Sequence, residues 1–318
     1  MKYVKRIVLS LVFIAGLCGL LLASSRVFVP KSNNKESGTE EVEANGILGE
    51  RPKSVVGVVL GDSESYSAII PLQLWKERGY TVYNCGTSGQ TLDYSQVMLK
   101  RVFSRHKPKV VLMETNAIFR PISRSNMFYT MLCERFSIFR YHNRWKSIDI
   151  DRISDSVNYT WTDEWKGYRY SNLVNASSSE GYMSPSEEYA DIPEANLDYL
   201  KSMKELCDEN GTKMILVSTP STVNWNYKRH NSMKEAAKAL DLDYIDLNVE
   251  AKEIGIDWTK DTRDKGDHLN YSGAKKVTTY LGQYLQNTGL MKSHLGDPKY
   301  ESWDAASNKF EDLISRQK

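Results

Sequence analysis

SVVGVVLGDSES, residues 54–65, is the stretch from which the fold is read. Its first seven residues are mostly valine and run without polar alternation to Leu60 and Gly61. A short β-branched run of this kind fits a strand covered on both faces, and such strands belong to parallel sheets. The Gly-Asp-Ser that follows reads as a sharp turn into a helix. A strand, a turn and a helix in that order make up the repeating unit of an α/β protein.

Outward from this stretch the unit recurs. Residues 81–85, 109–113 (KVVLM, announced by Pro108), 213–218 (KMILVS) and 243–246 read as four further strands. Helical spacing is found over 67–78, 93–105, 194–210 (closed by Gly211), 231–240 and 271–287. The alternation predicts a three-layer α/β/α domain around a five-stranded parallel sheet, covering residues 54–290. Ligands in such sheets bind beyond the carboxyl ends of the strands.

Two segments break the pattern. Residues 120–193 are rich in Trp and Tyr and lack a clear period. An interruption this long reads as a functional insertion or a sub-domain. Its aromatics either form a small core of their own or line a groove for a sugar, a polymer or a protein. Within it WKGYRYSN, residues 165–172, is the candidate recognition loop, with Trp165 and Tyr168 as substrate-binding residues. The tail, 291–318, carries Phe310, Leu313 and Ile314 at helical spacing, which predicts a short docked helix.

The amino terminus sets the expected compartment. Residues 7–25 (IVLSLVFIAGLCGLLLASS) are free of charge and lie between Arg6 and Arg26. As a helix they would span about 28 Å, close to the roughly 30 Å hydrocarbon core of a bilayer. Lys2, Lys5 and Arg6 precede them, which predicts a cytoplasmic amino end and an extracytoplasmic domain. Residues 1–26 are therefore expected to be a retained signal-anchor, single-pass in the cell membrane. A cleaved signal peptide is the alternative, and it exports the same domain. Residues 27–53, polar and charged, read as a flexible stalk.

Composition excludes several classes. Hydrophobic residues make up 41% and charged residues 26%, which is the balance of a globular chain. The net charge is +2, and the three cations before the apolar run account for all of it. With no basic surplus left, nucleic acid is not an expected partner. The four Cys form no CxxC pair, which argues against a zinc cluster or a disulfide scaffold. Cys85, Cys133 and Cys207 are expected as buried free thiols. His106, His142, His230 and His294 read as surface residues. Asp261, Asp264 and Asp267 lack the spacing of a calcium loop, and neither a metal nor a cofactor is expected.

Ser63, where a buried strand turns into a helix, would hold its hydroxyl at the ligand-binding edge of the sheet, next to free helical N–H groups. The plain alternative is an N-cap serine. A serine nucleophile needs a base, most often His, whose second nitrogen needs an acceptor. DTRDKGDHLN, residues 261–270, offers His268 with Asp264 or Asp267 upstream, just before the last helix. Asp264 is the favoured partner, because one extra residue can loop out, whereas adjacent side chains on an extended segment diverge.

Four blocks in order resemble the SGNH, or GDSL-type, hydrolase superfamily. Gly61-Asp62-Ser63-Glu64-Ser65 resembles the first, which implies Ser63 as nucleophile. Asn84-Cys85-Gly86-Thr87-Ser88-Gly89-Gln90-Thr91 resembles the second, which implies that Gly89 lends its N–H to an oxyanion hole shared with the Ser63 N–H. Glu114-Thr115-Asn116-Ala117 resembles the third, which implies Asn116 as the side-chain oxyanion donor. His268-Leu269-Asn270 with Gly273 resembles the last, which implies His268 as base. The departures are Glu114 in place of Gly, Ala117 in place of a common Asp, and Lys265 where the Asp usually stands, three residues before His.

The resemblance implies an esterase or acyltransferase working through an acyl-serine intermediate. The amino-terminal anchor, the aromatic insertion and the His-Leu-Asn block are similar to envelope-modifying members of the teichoic-acid D-alanine-transfer and alginate-acetylation types. That similarity implies a cell-surface glycan ester as substrate and a membrane-bound O-acyltransferase as a partner. The alternative is a non-catalytic, tethered glycan-binding or scaffold protein with a degenerate pocket. The Asn270-Tyr271-Ser272 sequon directly after His268 points to bacterial export rather than a glycosylating route.

Overall fold

Short runs buried on both faces become the strands β1 (Gly57–Leu60), β2 (Val82–Asn84), β3 (Val110–Glu114), β4 (Lys213–Ser218) and β5 (Asp243–Asp246). The computed structural model describes residues 1–146 and 148–317. Every strand pair is parallel, in the order β2-β1-β3-β4-β5. Val58 of β1 is flanked by Tyr83 of β2 and Val111 of β3. Both β2 and β3 thus lie beside β1, and the direction in which successive strands are added across the sheet reverses there. Beyond the carboxyl ends of the strands, such a reversal opens a crevice between the loops that leave β1 and β3.

The helices are α1 (Lys2–Phe28), α2 (Val42–Asn45), α3 (Ser63–Ala68), α4 (Pro71–Arg78), α5 (Leu92–Arg105), α6 (Arg124–Arg135), α7 (Ser137–Tyr141), α8 (Glu194–Glu209), α9 (Tyr227–Ala239), α10 (Ala251–Ile254), α11 (Tyr271–Thr288) and α12 (Glu301–Arg316). Helices α3, α4, α11 and α12 pack together, and α5 packs with α8. Right-handed crossovers place these two groups on opposite faces of the sheet. The expected three-layer α/β architecture with five parallel strands is therefore the observed one.

The helix expected over 67–78 is divided in two. Pro71 takes the first turn of α4, and Ile70 before it is extended, with φ −101° and ψ 100°. Helix α9 begins at Tyr227, earlier than periodicity suggested, because the Asn226 side chain accepts from the Arg229 N–H and caps it.

The chain divides into two compact units. One comprises Glu43–Ile122 with Thr162–Lys318 and holds the sheet. The other comprises Met1–Val42 with Ser123–Trp161. In the second unit α1 packs against α7, and Ser25 Oγ accepts a hydrogen bond from the Ile138 N–H at 3.2 Å. Helix α1 is long and apolar enough to cross a membrane, with a mean hydropathy of 2.6 and none of that window buried, although a signal sequence has the same profile.

Two expectations about the flanking segments change. Residues 42–53 are not part of a flexible stalk. Ala44, Ile47 and Leu48 are buried in the sheet-containing unit, and Glu50 there accepts an ion-paired hydrogen bond from Lys166 at 2.8 Å. Frequent charges hid a short apolar patch. The aromatic insertion also divides, its first half lying with α1 and its second half with the sheet. The tail forms the docked helix α12, whose Trp303 and Phe310 are buried. Cys85, Cys133 and Cys207 are buried free thiols, as expected.

Candidate active site

The β1–α3 turn is shaped by Gly61 at φ +152°, where an added Cβ would stand 2.5 Å from the Glu114 Cβ. Only a glycine lets β1 and β3 deliver their loops this close together. Asp62, fully buried, caps α3 by accepting from the Glu64 N–H at 3.0 Å. Its other oxygen accepts from Asn116 Nδ2 at 2.9 Å and from Arg120 Nη2 at 2.8 Å. Asp62 therefore ties the first block to the third, and the Arg120 guanidinium compensates its buried charge. Ser63, half-buried, is the first residue of α3. It is not the cap itself, so its side chain is spared the usual capping role.

Gly89 lies exposed at φ +61°, and Arg120 Nη1 would be 3.4 Å from a Cβ placed there. Arg120 thus stands beside Gly89 and shares the Asp62 carboxylate with Asn116. Glu114, where the resembled block has Gly, lies underneath. Both of its oxygens accept from the Asn116 N–H at 3.1 Å, which holds the Asn116 backbone in place. Burial, followed by the nearby Asp62, pushes the Glu114 carboxyl well above its ordinary range.

On the opposite wall, His268 Nδ1 is 2.7 Å from Asp264 Oδ2, and the His268 backbone N–H donates to Asp264 Oδ1 at 2.6 Å. Lys265 at φ +63° and Gly266 at φ +90° form the loop-out that lets an Asp four residues upstream reach the ring. Asp267 Oδ2 is also near Nδ1, at 3.5 Å, beyond a good hydrogen bond. Of the two candidates, Asp264 is the one that orients the imidazole. His268 Nε2 is buried and has no hydrogen-bond partner, so the Ser63–His268 bond is not made in this state. Catalytic hydrogen bonds commonly tighten only when substrate is bound.

Asn270, in the same block, caps α11 by accepting from the Gly273 N–H, and its Nδ2 donates to the carbonyls of Leu173 and Lys260. The last block therefore pins the histidine loop to the start of α11. Asp261 serves structure as well: it is buried and pairs with Lys276 at 2.6 Å.

Sequence reasoning missed one residue that joins the two walls. Asn224, in the loop after β4, donates through Nδ2 to Glu64 Oε1 at 2.6 Å and to Asp267 Oδ1 at 2.5 Å. It links the neighbour of Ser63 to the neighbour of His268. Its carbonyl accepts from Arg229 Nη1, which also donates to Asn116 Oδ1 at 2.8 Å. No local motif marks Asn224 or Arg229. Glu64 is buried, and desolvation, followed by the charges of Glu114 and Asp62, raises its carboxyl well above the ordinary range. Glu64, Asp267 and His268 bring ligand atoms within 4.8 Å of one another, a spacing a metal could use. The Asn224 amide already donates to both carboxylates, and that N–H in their midst does not fit a cation.

Tyr168 is buried rather than lining a binding groove, and Trp165 beside it is half-buried. Tyr168 is only 2% exposed, and its ring meets Phe310 of α12 edge-on at 5.9 Å. Trp165 packs on the same Phe310 at 5.2 Å. The recognition-loop signal came from aromatics that form a core around the C-terminal helix. Two histidines expected at the surface also differ. His106 is fully buried, with Nε2 3.0 Å from the Ile47 carbonyl. His230 pairs with Asp246 at the end of β5, at 2.8 Å.

No family model and no curated protein sequence matches the chain. Solved structures similar to it include a GDSL-like lipase from Bacteroides thetaiotaomicron, at 14% identity, covering 73% of this chain and 88% of that one, with a TM-score of 0.37. A lipase/acylhydrolase from Enterococcus faecalis is 13% identical, covering 73% and 96%, with a TM-score of 0.39. A psychrotrophic esterase from a Pseudoalteromonas species is 8% identical, covering 73% and 98%, with a TM-score of 0.40. The site described above rests on its own geometry rather than on these distant likenesses.

Proposed function

We propose that this chain is a membrane-anchored, extracytoplasmic serine esterase or O-acyltransferase acting on acyl esters of a cell-surface glycan. The observation that carries the reading is the Asp264–His268 pair, with its buried and unpartnered Nε2, next to Asp267, which Asn224 ties to Glu64, the residue after Ser63. A base oriented on one nitrogen and open on the other is what a serine hydroxyl needs beside it.

In the proposed reaction His268 Nε2 takes the Ser63 hydroxyl proton as Oγ attacks the ester carbonyl carbon. The oxyanion is held by the Ser63 and Gly89 N–H groups and the Asn116 amide. Collapse expels the alcohol, which receives the proton from His268, and leaves acyl-Ser63. Water or a sugar hydroxyl then attacks the acyl carbon and gives its proton to His268. Collapse breaks the bond to Ser63 Oγ, which takes that proton back from His268, and releases the acid or the new ester. Asp264 stabilises the imidazolium in both halves. The chain's own residues carry every step, and no cofactor enters.

Helix α1 would hold the domain outside the membrane, with Lys2, Lys5 and Arg6 on the cytoplasmic side. A membrane-bound O-acyltransferase supplying the acyl donor fits this placement. The alternative, a non-catalytic scaffold, draws on the unmade Ser63–His268 bond and on the engagement of Asn116 Nδ2 by Asp62. A fluorophosphonate probe separates the two readings. Labelling of the full chain that disappears in Ser63→Ala and collapses in His268→Ala supports catalysis, and an unlabelled native chain refutes it.

A further inference from the structure

In the unit that contains α1, the outward face of α6 carries Arg124, Phe128, Met131 and Arg135, spaced four, three and four residues apart on one helical stripe. Phe128 is 58% and Met131 57% exposed. Trp145 is 64% exposed, with Lys146 Nζ 5.1 Å from the centre of its ring. Large apolar side chains flanked by cations and left open to solvent need a partner.

The position of this surface identifies the partner. The uncharged run of α1 ends at Ser25, and Ser25 Oγ accepts from the Ile138 N–H at the start of α7. Arg144 donates to the Phe28 carbonyl one turn further on. These bonds hold α7 and the residues after it at the exit end of α1, where a spanning helix leaves the hydrocarbon. Of the cations in residues 124–146, Arg124, Arg135 and Lys146 are exposed, whereas Arg140 is ion-paired to Glu40 and Glu134 and Arg144 is engaged by Phe28. Helix α6 packs on α7, and α7 and the turn that holds Trp145 pack on α1. Aromatic and apolar side chains mixed with Arg and Lys on segments gathered at the end of a spanning helix are the chemistry of a membrane interface. There the rings sit at the level of the headgroups and the cations reach the phosphates.

We infer that the first half of the aromatic insertion is a membrane-interface foot. Phe128, Met131 and Trp145 enter the headgroup region around α1, and the neighbouring cations pair with anionic lipid. This rests on the reading that α1 spans the bilayer, and it gives those aromatics a lipid partner rather than a sugar.

The test uses the full chain in nanodiscs containing phosphatidylglycerol, with and without brominated phosphatidylcholine. The Trp145 emission is taken as the difference between the native chain and Trp145→Phe. Phe128→Trp reports on α6, and Ile14→Trp reports on α1. The expected result is loss of the Trp145 and Phe128→Trp emission in brominated lipid, alongside loss of the Ile14→Trp signal, with little quenching by aqueous iodide. Quenching of the α6 and Trp145 signals by iodide, with the α1 signal still lost to brominated lipid, overturns the foot and leaves the anchor standing. Protection of the α6 and Trp145 signals from both quenchers shows a protein-covered surface and also overturns it. An α1 signal untouched by brominated lipid overturns the anchor reading itself.

Discussion

Asp264→Ala separates the two acids that compete for His268. In the structure Asp264 makes two short bonds to that residue, 2.7 Å to Nδ1 and 2.6 Å from the backbone N–H. Each hydrogen bond to a charged group is worth about 1.5–3 kcal/mol, so their loss removes roughly 3–6 kcal/mol of orientation and imidazolium stabilisation. At about 1.4 kcal/mol per tenfold, this corresponds to a fall of about 10²–10⁴ in acylation rate. Asp267 Oδ2 lies 3.5 Å from Nδ1, but its other oxygen is held by Asn224 at 2.5 Å, so it cannot simply swing across. Asp267→Ala should therefore cost less than about tenfold, the loss of a weak, off-distance contact. The assay is the second-order rate of fluorophosphonate labelling of Ser63, read beside hydrolysis of a small acyl ester. If Asp264→Ala labels within about threefold of the native chain, a difference under 1 kcal/mol, the assignment of the orienting acid is wrong. If Asp267→Ala shows the larger loss, the two acids exchange roles.

Asn116→Ala should lower kcat by about 10²–10³ with a smaller change in KM, as expected for a donor that acts on the oxyanion, and steady-state kinetics on the same ester checks this. The raised Glu64 carboxyl carries a definite sign: between its unfolded value of 4.5 and its higher folded value, the folded state binds more protons than the unfolded one. Its contribution to stability is complete below pH 4.5 and is lost as pH rises, so Glu64→Gln, which keeps the acceptor for Asn224, should flatten the fall in urea-unfolding stability above pH 4.5. Phe310→Ala should destabilise the sheet-containing unit by about 3–5 kcal/mol, the cost of emptying a buried aromatic site, without abolishing probe labelling of the remaining folded protein. A thermal melt unchanged by that substitution would contradict the packing of α12 on Trp165 and Tyr168.

The sequence by itself determined the sheet. Strands buried on both faces must be short, continuous and apolar, and residues 54–60, 109–113 and 213–218 announce themselves on that ground alone. The candidate site was legible for a related reason. A serine at a strand end and a histidine before the last helix occupy positions that chain order and local turn chemistry fix, and the 261–270 loop narrowed the histidine's carboxylate partner to two residues. Tertiary structure decided what no local pattern encodes. Asn224 joins the two walls only because β4 delivers its loop between the first and last blocks. Lys166 and Glu50, charged and far apart in sequence, are tolerated in the interior because folding pairs them. Ile47 and Leu48 were hidden by charged neighbours, and Tyr168 looked like part of a ligand platform although it is buried against Phe310 of α12. Periodicity reports that a side chain is buried or exposed along its own element, whereas the partner it is buried against is set by contacts distant in the chain.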